Sequence, residues 1–210
     1  MRTVAALRQI VEAQASEQSA TISGPCCFRQ RAQALPEMDR RPVVTDTIIE
    51  DSRWHAVDLP GLAERAAQAT LAHLGLSQDG WEIAVLGCDD ARIAALGAEF
   101  RGKSRPTNVL SWPVQNRSPA APGARPAPPD PQQPELGDIA IAWETCVAEA
   151  AGAGLPLPDH VTHLIVHAVL HLLGHDHERD DDATLMERLE SEILGKMGLA
   201  DPYRNGSRAF

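Results

Sequence analysis

Residues 159–177 read DHVTHLIVHAVLHLLGHDH and contain six of the eight histidines in this 210-residue chain. Up to position 173 the stretch is apolar and free of glycine and proline, which predicts a mostly buried helix. Side chains four residues apart share one face of a helix, and a rise of ~1.5 Å per residue places His167 and His171 one turn apart. These two rings can therefore bind one metal ion.

The third metal ligand must come from beyond the helix, and the spacing predicts His177. Gly174 can adopt the left-handed conformation at the helix end and turn the chain back towards the pair. His163 shares the helix face but lies ~12 Å along the axis from His171, too far to join the same ion. His175 is the alternative third ligand, although it directly follows the glycine and leaves little chain to fold back.

Three histidine ligands are typical of a catalytic zinc ion. Three neutral nitrogens leave the fourth position of a tetrahedral ion open for water. Asp176 could orient one ligand by a hydrogen bond, although an exposed aspartate in a turn is an equally good interpretation. The other reading of the whole stretch is a buried helix whose rings are satisfied by hydrogen bonds. A metal is favoured because it relieves the desolvation cost of several polar rings on an apolar helix.

The histidine spacing H-x-x-x-H-x-x-G-x-x-H also occurs in metalloproteases of the metzincin type. In those enzymes a glutamate follows the first histidine and serves as the general base. Ala168 occupies that position here. The sequence therefore predicts a metzincin-like histidine helix and a zinc-activated water, and it argues against peptide hydrolysis.

Three blocks of the chain resemble the YbeY family of bacterial metal-dependent endoribonucleases. Residues 167–177 read HAVLHLLGHDH and precede an acidic helix containing MERLE, residues 100–113 read FRGKSRPTNVLSWP, and residues 136–146 read LGDIAIAWETC. The family motifs read HGxLHLLGYDH with MExxE, RGKxxPTxVLSFP, and LGDIxI. Ala168 and His175 depart from the family's glycine and tyrosine. The resemblance covers roughly residues 42–204.

The resemblance implies a four-stranded, mainly parallel sheet and one zinc ion per chain, bound by His167, His171 and His177. It implies cleavage of single-stranded RNA, in 16S rRNA 3′-end maturation and ribosome quality control. The ribosome or ribosomal proteins are the implied partners, and no DNA is expected. Arg101 matches the family's functional arginine, and its guanidinium can grip two phosphate oxygens at once. The alternatives are a non-catalytic ribosome assembly factor stabilised by zinc and, less favoured because of Ala168, a metalloprotease.

The net charge of −10 weighs against an RNA partner, but the basic residues are concentrated locally. Between positions 91 and 129 there are six basic residues and a single acid, Glu99. The six are Arg92, Arg101, Lys103, Arg105, Arg117 and Arg125. Such a strip predicts modest, salt-sensitive binding of a phosphate backbone, and an ordinary solvated loop is the alternative.

Strand-like and helix-like segments alternate from position 41 onwards, which predicts one α+β domain with a small mixed sheet and helices against it. We expect this domain over residues 42–204, preceded by an extension over residues 1–41 and followed by a tail over residues 205–210. The extension has mixed polarity and no periodicity, which predicts disorder, or an alternative start at Met38. Residues 115–134 are so rich in proline, alanine and arginine that they are expected not to pack.

Cysteine usage and hydropathy predict a cytoplasmic protein. The four cysteines form no C-x-x-C pair, and the chain lacks a secretory signal with a long apolar core. Both features are typical of a reducing compartment. The longest apolar run falls far below the ~20 residues that a membrane span needs, so no membrane partner is expected.

Overall fold

The structure is a computed structural model that describes residues 44–77, 80–101 and 105–203, with the side chains of residues 100 and 101 left out. The extension predicted over residues 1–41 and the tail predicted over residues 205–210 lie outside the described residues. The strands are β1 (Thr45–Ile49), β2 (Glu82–Cys88), β3 (Val109–Pro113) and β4 (Glu135–Ala142). The helices are α1 (Leu59–His73), α2 (Asp90–Arg101), α3 (Trp143–Ala153), α4 (Leu157–Leu172) and α5 (Asp180–Lys196), and a 3-10 turn spans Ser52–Val57.

The four strands form one sheet in the order β1-β2-β4-β3. Strands β1, β2 and β4 are parallel to one another, while β3 is antiparallel to β4, with Trp112 opposite Asp138. The two segments TNVLSWP and LGDIAIA are therefore neighbours in one sheet. The prediction of an α+β domain with a four-stranded, mainly parallel mixed sheet is confirmed.

The two faces of the sheet carry separate hydrophobic clusters. Ile139 and Ile141 of β4 belong to the larger cluster, together with side chains from α1, α3, α4 and α5. Ala140 and Ala142 alternate with them and belong to the smaller cluster, which is covered by α2. Because successive side chains of a strand point to opposite faces, α2 and α4 lie on opposite sides of the sheet.

Helix α4 is the predicted histidine helix, and it is buried along nearly its whole length. Its C-terminal end has the predicted left-handed glycine, since Gly174 has a φ of 93°. The His175 amide donates to the Leu170 carbonyl at 3.0 Å, and the Gly174 amide donates to the His171 carbonyl at 3.0 Å. These bonds satisfy carbonyls that a helix end leaves without intrahelical partners. The predictions of a buried helix and of a glycine turn are confirmed.

The expectation that residues 115–134 do not pack is wrong. The Arg117 guanidinium donates to the Leu172 carbonyl at the end of α4, and the Arg117 side chain is buried. Arg179 donates to two loop carbonyls at 3.0 Å, and Asp182 accepts from the Gly123 amide at 2.8 Å. The loop is held by the Arg117 side chain and by hydrogen bonds to its own backbone groups, which its amino-acid composition does not reveal.

The described cysteines form no disulfide, and the described helices include no candidate membrane span. Cys88 and Cys146 are free and buried, and burial raises the pKa of the Cys88 thiol to about 12. Cys26 and Cys27 lie outside the described residues. Among the described helices, none is both long and apolar enough to cross a bilayer.

Gly137→Ala should destabilise the fold by about 3 kcal/mol. Gly137 has a φ of 147°, and a Cβ atom there would lie 2.2 Å from the Trp112 carbonyl oxygen. Gly152→Ala is the matched control, because a Cβ at this position in α3 meets no atom within 4 Å. We expect the control to be neutral or stabilising by up to about 1 kcal/mol. Equal denaturant midpoints for the two variants would contradict the assigned backbone conformation.

Candidate metal centre

His167, His171 and His177 form a cluster at the C-terminal end of α4. Each residue offers one ligand atom, and the three atoms all lie within 4.8 Å of one another. The Nε2 atoms of His167 and His171 are 3.1 Å apart, as expected for rings one helical turn apart. The turn at Gly174 returns the chain, so that the ring centroid of His177 lies 5.3 Å from that of His167 and 5.0 Å from that of His171. The structure thus brings the three predicted side chains together.

The spacing and chemistry of this cluster fit one zinc ion. Zinc–nitrogen bonds of about 2.0 to 2.1 Å in a tetrahedron place the nitrogens roughly 3.4 Å apart. The His167–His171 separation of 3.1 Å is close to that value. His177 is exposed and follows the helix, so its ring has room to adjust. Three imidazole nitrogens are also a ligand set that zinc prefers.

The two helical histidines are held in the neutral form that metal binding requires. Burial, reinforced by the neighbouring His167 and His177, lowers the pKa of His171 to about 3. Burial also lowers the pKa of His167, although Glu190 acts in the opposite direction. Near pH 7 both rings therefore offer a nitrogen lone pair.

His175 lies outside the histidine cluster, and Asp176 bonds the backbone of the turn. The buried His175 side chain faces the proline-rich loop, where it lines a cavity of about 340 Å³ with Asn116 and Pro126, and it is not part of the histidine cluster. The Asp176 carboxylate accepts from the His177 amide at 2.7 Å. Asp176 therefore orients the backbone of the third histidine and does not hold a ring.

Glu190 is a functional candidate that the sequence reasoning missed. Its Oε1 lies 2.8 Å from His167 Nδ1, and its Oε2 lies 2.7 Å from His163 Nε2. Burial raises the pKa of this carboxyl, but the hydrogen bonds with both histidines outweigh burial and lower the pKa to about 2. A signal was present in MERLE, since Glu190 occupies the apolar stripe that Met186 and Ile193 mark on α5. An acid in such a stripe predicts a buried partner.

Two of the six basic residues in the predicted strip are not free to bind phosphate. Arg92 Nε pairs with the Glu50 carboxylate at 3.1 Å, and Arg117 is buried against α4. Arg105 and Arg125 are exposed, and Lys103 lies outside the described residues.

Arg101 is the last residue of α2, which packs on the sheet face opposite α4. Its side chain is not described, so the role of Arg101 in gripping phosphate stays a prediction.

Sequence comparisons assign the chain to a family. The fold and the site define the class, an α+β protein with a candidate metal centre at the end of a buried helix. The sequence model of the family described as Endoribonuclease YbeY matches residues 48–198, and this chain belongs to that family. This confirms the resemblance seen in the three sequence blocks.

Several relatives named Endoribonuclease YbeY are similar over most of their length. The relative from Ruegeria pomeroyi is 58% identical over 75% of this chain and 96% of its own. The relative from Jannaschia sp. is 56% identical over 75% of this chain and 98% of its own. The relative from Paracoccus denitrificans is 56% identical over 77% of this chain and 91% of its own. The solution structure of TM1509 from Thermotoga maritima aligns with 78% of this chain and 99% of that chain, at 19% identity and a TM-score of 0.44. The family assignment rests on the sequence matches.

His171→Ala should remove most of the bound zinc, because the remaining nitrogens cannot complete the site. His177→Ala should also lose zinc, whereas His175→Ala, which alters a neighbouring buried ring outside the cluster, should retain it. Zinc per chain, measured on the purified variants, checks this. Full zinc retention in His171→Ala would refute the assignment, and retention in His177→Ala with loss in His175→Ala would make His175 the third ligand.

The metal-free protein should lose stability as the pH falls from about 6.5 to about 4. Burial lowers the pKa of His171 to about 3 and that of His175 to about 4, so the unfolded chain binds more protons than the folded chain in this window. Thermal melting across this range measures the effect. The double variant His171→Asn, His175→Asn should show a shallower slope, and an identical slope would contradict the lowered pKa values.

Proposed function

We propose that this protein is a single-strand-specific, zinc-dependent endoribonuclease that acts in the cytoplasm, in 16S rRNA 3′-end maturation and ribosome quality control. The observation that carries the proposal is the three-histidine cluster at the end of α4, in a chain that belongs to the YbeY family. Curated relatives that match about three quarters of this chain are named endoribonucleases. RNA, the ribosome and ribosomal proteins are the proposed partners.

The three histidines would hold one zinc ion per chain. Bound there, zinc would supply Lewis acidity to a water molecule or to a phosphate oxygen. His167 is buried, His171 is half-buried and His177 is exposed, so the cluster opens to solvent on the His177 side. Substrate would approach from that side, while the neutral rings of α4 form the buried wall. The nucleophile is either water or the 2′-hydroxyl of the RNA.

Arg101 is the proposed phosphate-binding residue. Its guanidinium can bind two phosphate oxygens and stabilise negative charge that develops during cleavage. Helices α2 and α4 cover opposite faces, but both contact β3, which is an edge strand. An extended RNA strand crossing the β3 edge could therefore meet both the histidine cluster and the end of α2. Arg105 and Lys103 follow Arg101 and would steer the RNA electrostatically.

Purified, zinc-quantified protein tested on single-stranded RNA, duplex RNA and casein separates the three candidate functions. We expect endonucleolytic cleavage of the single strand, with loss of cleavage after zinc removal and in His171→Ala. Zinc-loaded protein that binds ribosomes without cutting RNA would instead be an assembly factor. Casein cleavage would indicate a protease. A 2′-deoxy substitution at the cleaved position distinguishes the nucleophiles, because it blocks attack by the 2′-hydroxyl alone.

Arg101→Lys should reduce RNA cleavage by about 10²-fold, comparable to the loss of one preorganised donor. The substitution keeps the positive charge but loses the two-pronged grip. Zinc content and melting temperature should stay close to those of the unmodified protein. Arg65→Lys is the matched control, since Arg65 is an exposed arginine on α1. Parallel losses of activity and stability would make Arg101 structural, and unchanged single-turnover cleavage would remove it from the mechanism.

A further inference from the structure

Glu190 is a buried carboxylate with three hydrogen-bonding neighbours, two on α4 and one after α5. It is 1% exposed. One oxygen faces His167 Nδ1, and the other is shared by His163 Nε2 and the Tyr203 hydroxyl. His163 and His167 belong to α4, Glu190 belongs to α5, and Tyr203 follows α5. The carboxylate therefore joins a predicted metal ligand to two residues that do not reach the metal centre.

Tyr203 is itself held in position by a second set of bonds. Asp201 Oδ1 accepts from the Ser191 hydroxyl at 2.9 Å and from the Tyr203 amide at 3.0 Å. Ser191 directly follows Glu190 in α5. The chain after α5 is thus tied back to the same helix that carries the carboxylate. The Tyr203 hydroxyl thereby donates to Glu190 Oε2. The centroid of the Tyr203 ring lies 6.0 Å from that of the His163 ring, in an edge-on contact.

The carboxylate determines which nitrogen of His167 carries the proton. An ionised carboxylate only accepts hydrogen bonds, so His167 Nδ1 must be the donor to Glu190. The other ring nitrogen, Nε2, then has its lone pair directed at the His171 Nε2 atom, 3.1 Å away. This is the tautomer that a metal ion needs on that side of the ring.

We propose that Tyr203 and His163 are positioning residues of the metal centre, which hold the Glu190 carboxylate so that it fixes the orientation and tautomer of His167. The inference rests on the metal-binding part of the proposed function. With the Tyr203 hydroxyl removed, one donor to the shared oxygen is lost and the carboxylate can rotate away from His167. Outer groups of this kind typically change metal affinity by 10- to 100-fold.

The first test compares zinc affinity in Tyr203→Phe and Thr162→Val by competition with a chelator. Tyr203→Phe keeps the ring and removes only the hydroxyl, and we expect its zinc dissociation constant to rise about tenfold. Thr162→Val is the matched control, because the Thr162 hydroxyl is a buried donor on the same helix that bonds the Pro158 carbonyl and does not touch Glu190. Its zinc affinity should stay unchanged even if its melting temperature falls. Equal affinities in Tyr203→Phe and the unmodified protein would overturn the proposal while leaving the zinc assignment intact.

The second test needs no metal and so separates this proposal from the proposed function. In metal-free protein, ring-nitrogen NMR should show the His167 proton on Nδ1. Glu190→Gln should lose this fixed tautomer, because an amide side chain can present either a donor or an acceptor. A mixed tautomer in the unmodified protein, or the same tautomer in Glu190→Gln, would overturn the proposal. Absence of zinc binding by the unmodified protein, with the tautomer as expected, would refute the metal function alone.

Discussion

Imidazole rings buried on α4 must each find a hydrogen-bond partner or a metal ion, because an unpaired polar group in an apolar core costs several kcal/mol. The neighbouring helices supply those partners. Glu149 of α3 lies 3.0 Å from His160 Nε2, and Glu190 of α5 bonds the next two histidines along the helix. The packing of α3 and α5 on α4 therefore supplies hydrogen-bond partners for the histidine rings and also buries the apolar side chains of α4. His171 bonds neither acid, and its Nε2 faces His167 Nε2 in the candidate metal centre.

The end of α4 depends on a close contact between two segments that are distant in sequence. Gly174 adopts a left-handed conformation, and a Cβ there would lie 2.7 Å from the Cβ of Arg117 in the proline-rich loop. The glycine is thus required both by its backbone angle and by the approach of the loop. The loop in turn caps the Leu172 carbonyl at the end of α4 through Arg117. It is bonded to the start of α5 through Arg179 and Asp182. The loop therefore packs against the turn at Gly174 that brings His177 back to the other two histidines.

The positions of α2 and α4 on opposite faces of the sheet constrain where an RNA substrate could bind. The candidate metal centre lies at the end of α4, which packs on one face of the sheet, while α2, which ends at Arg101, covers the other face. Both helices contact β4 and its neighbour β3, which is an edge strand. An extended RNA strand lying along β3 could contact both the histidine cluster and the end of α2. The proposed preference for single-stranded RNA is consistent with this geometry.

The sequence by itself determined the features that depend on local spacing: the helix, the pairing of His167 with His171, and the left-handed turn at Gly174. The family resemblance implied four strands in a mainly parallel sheet. The order of the strands came only from the structure, because period and propensity do not specify long-range pairing. The spacing favoured His177 over His175 as the third histidine, and the structure groups His177 with the pair. Tertiary structure alone decided how Glu190 meets His163 and His167, and that the proline-rich loop packs. The contacts of Glu190 and of the loop join residues far apart in the chain, and their geometry depends on how the helices and the loop pack, which no local pattern encodes.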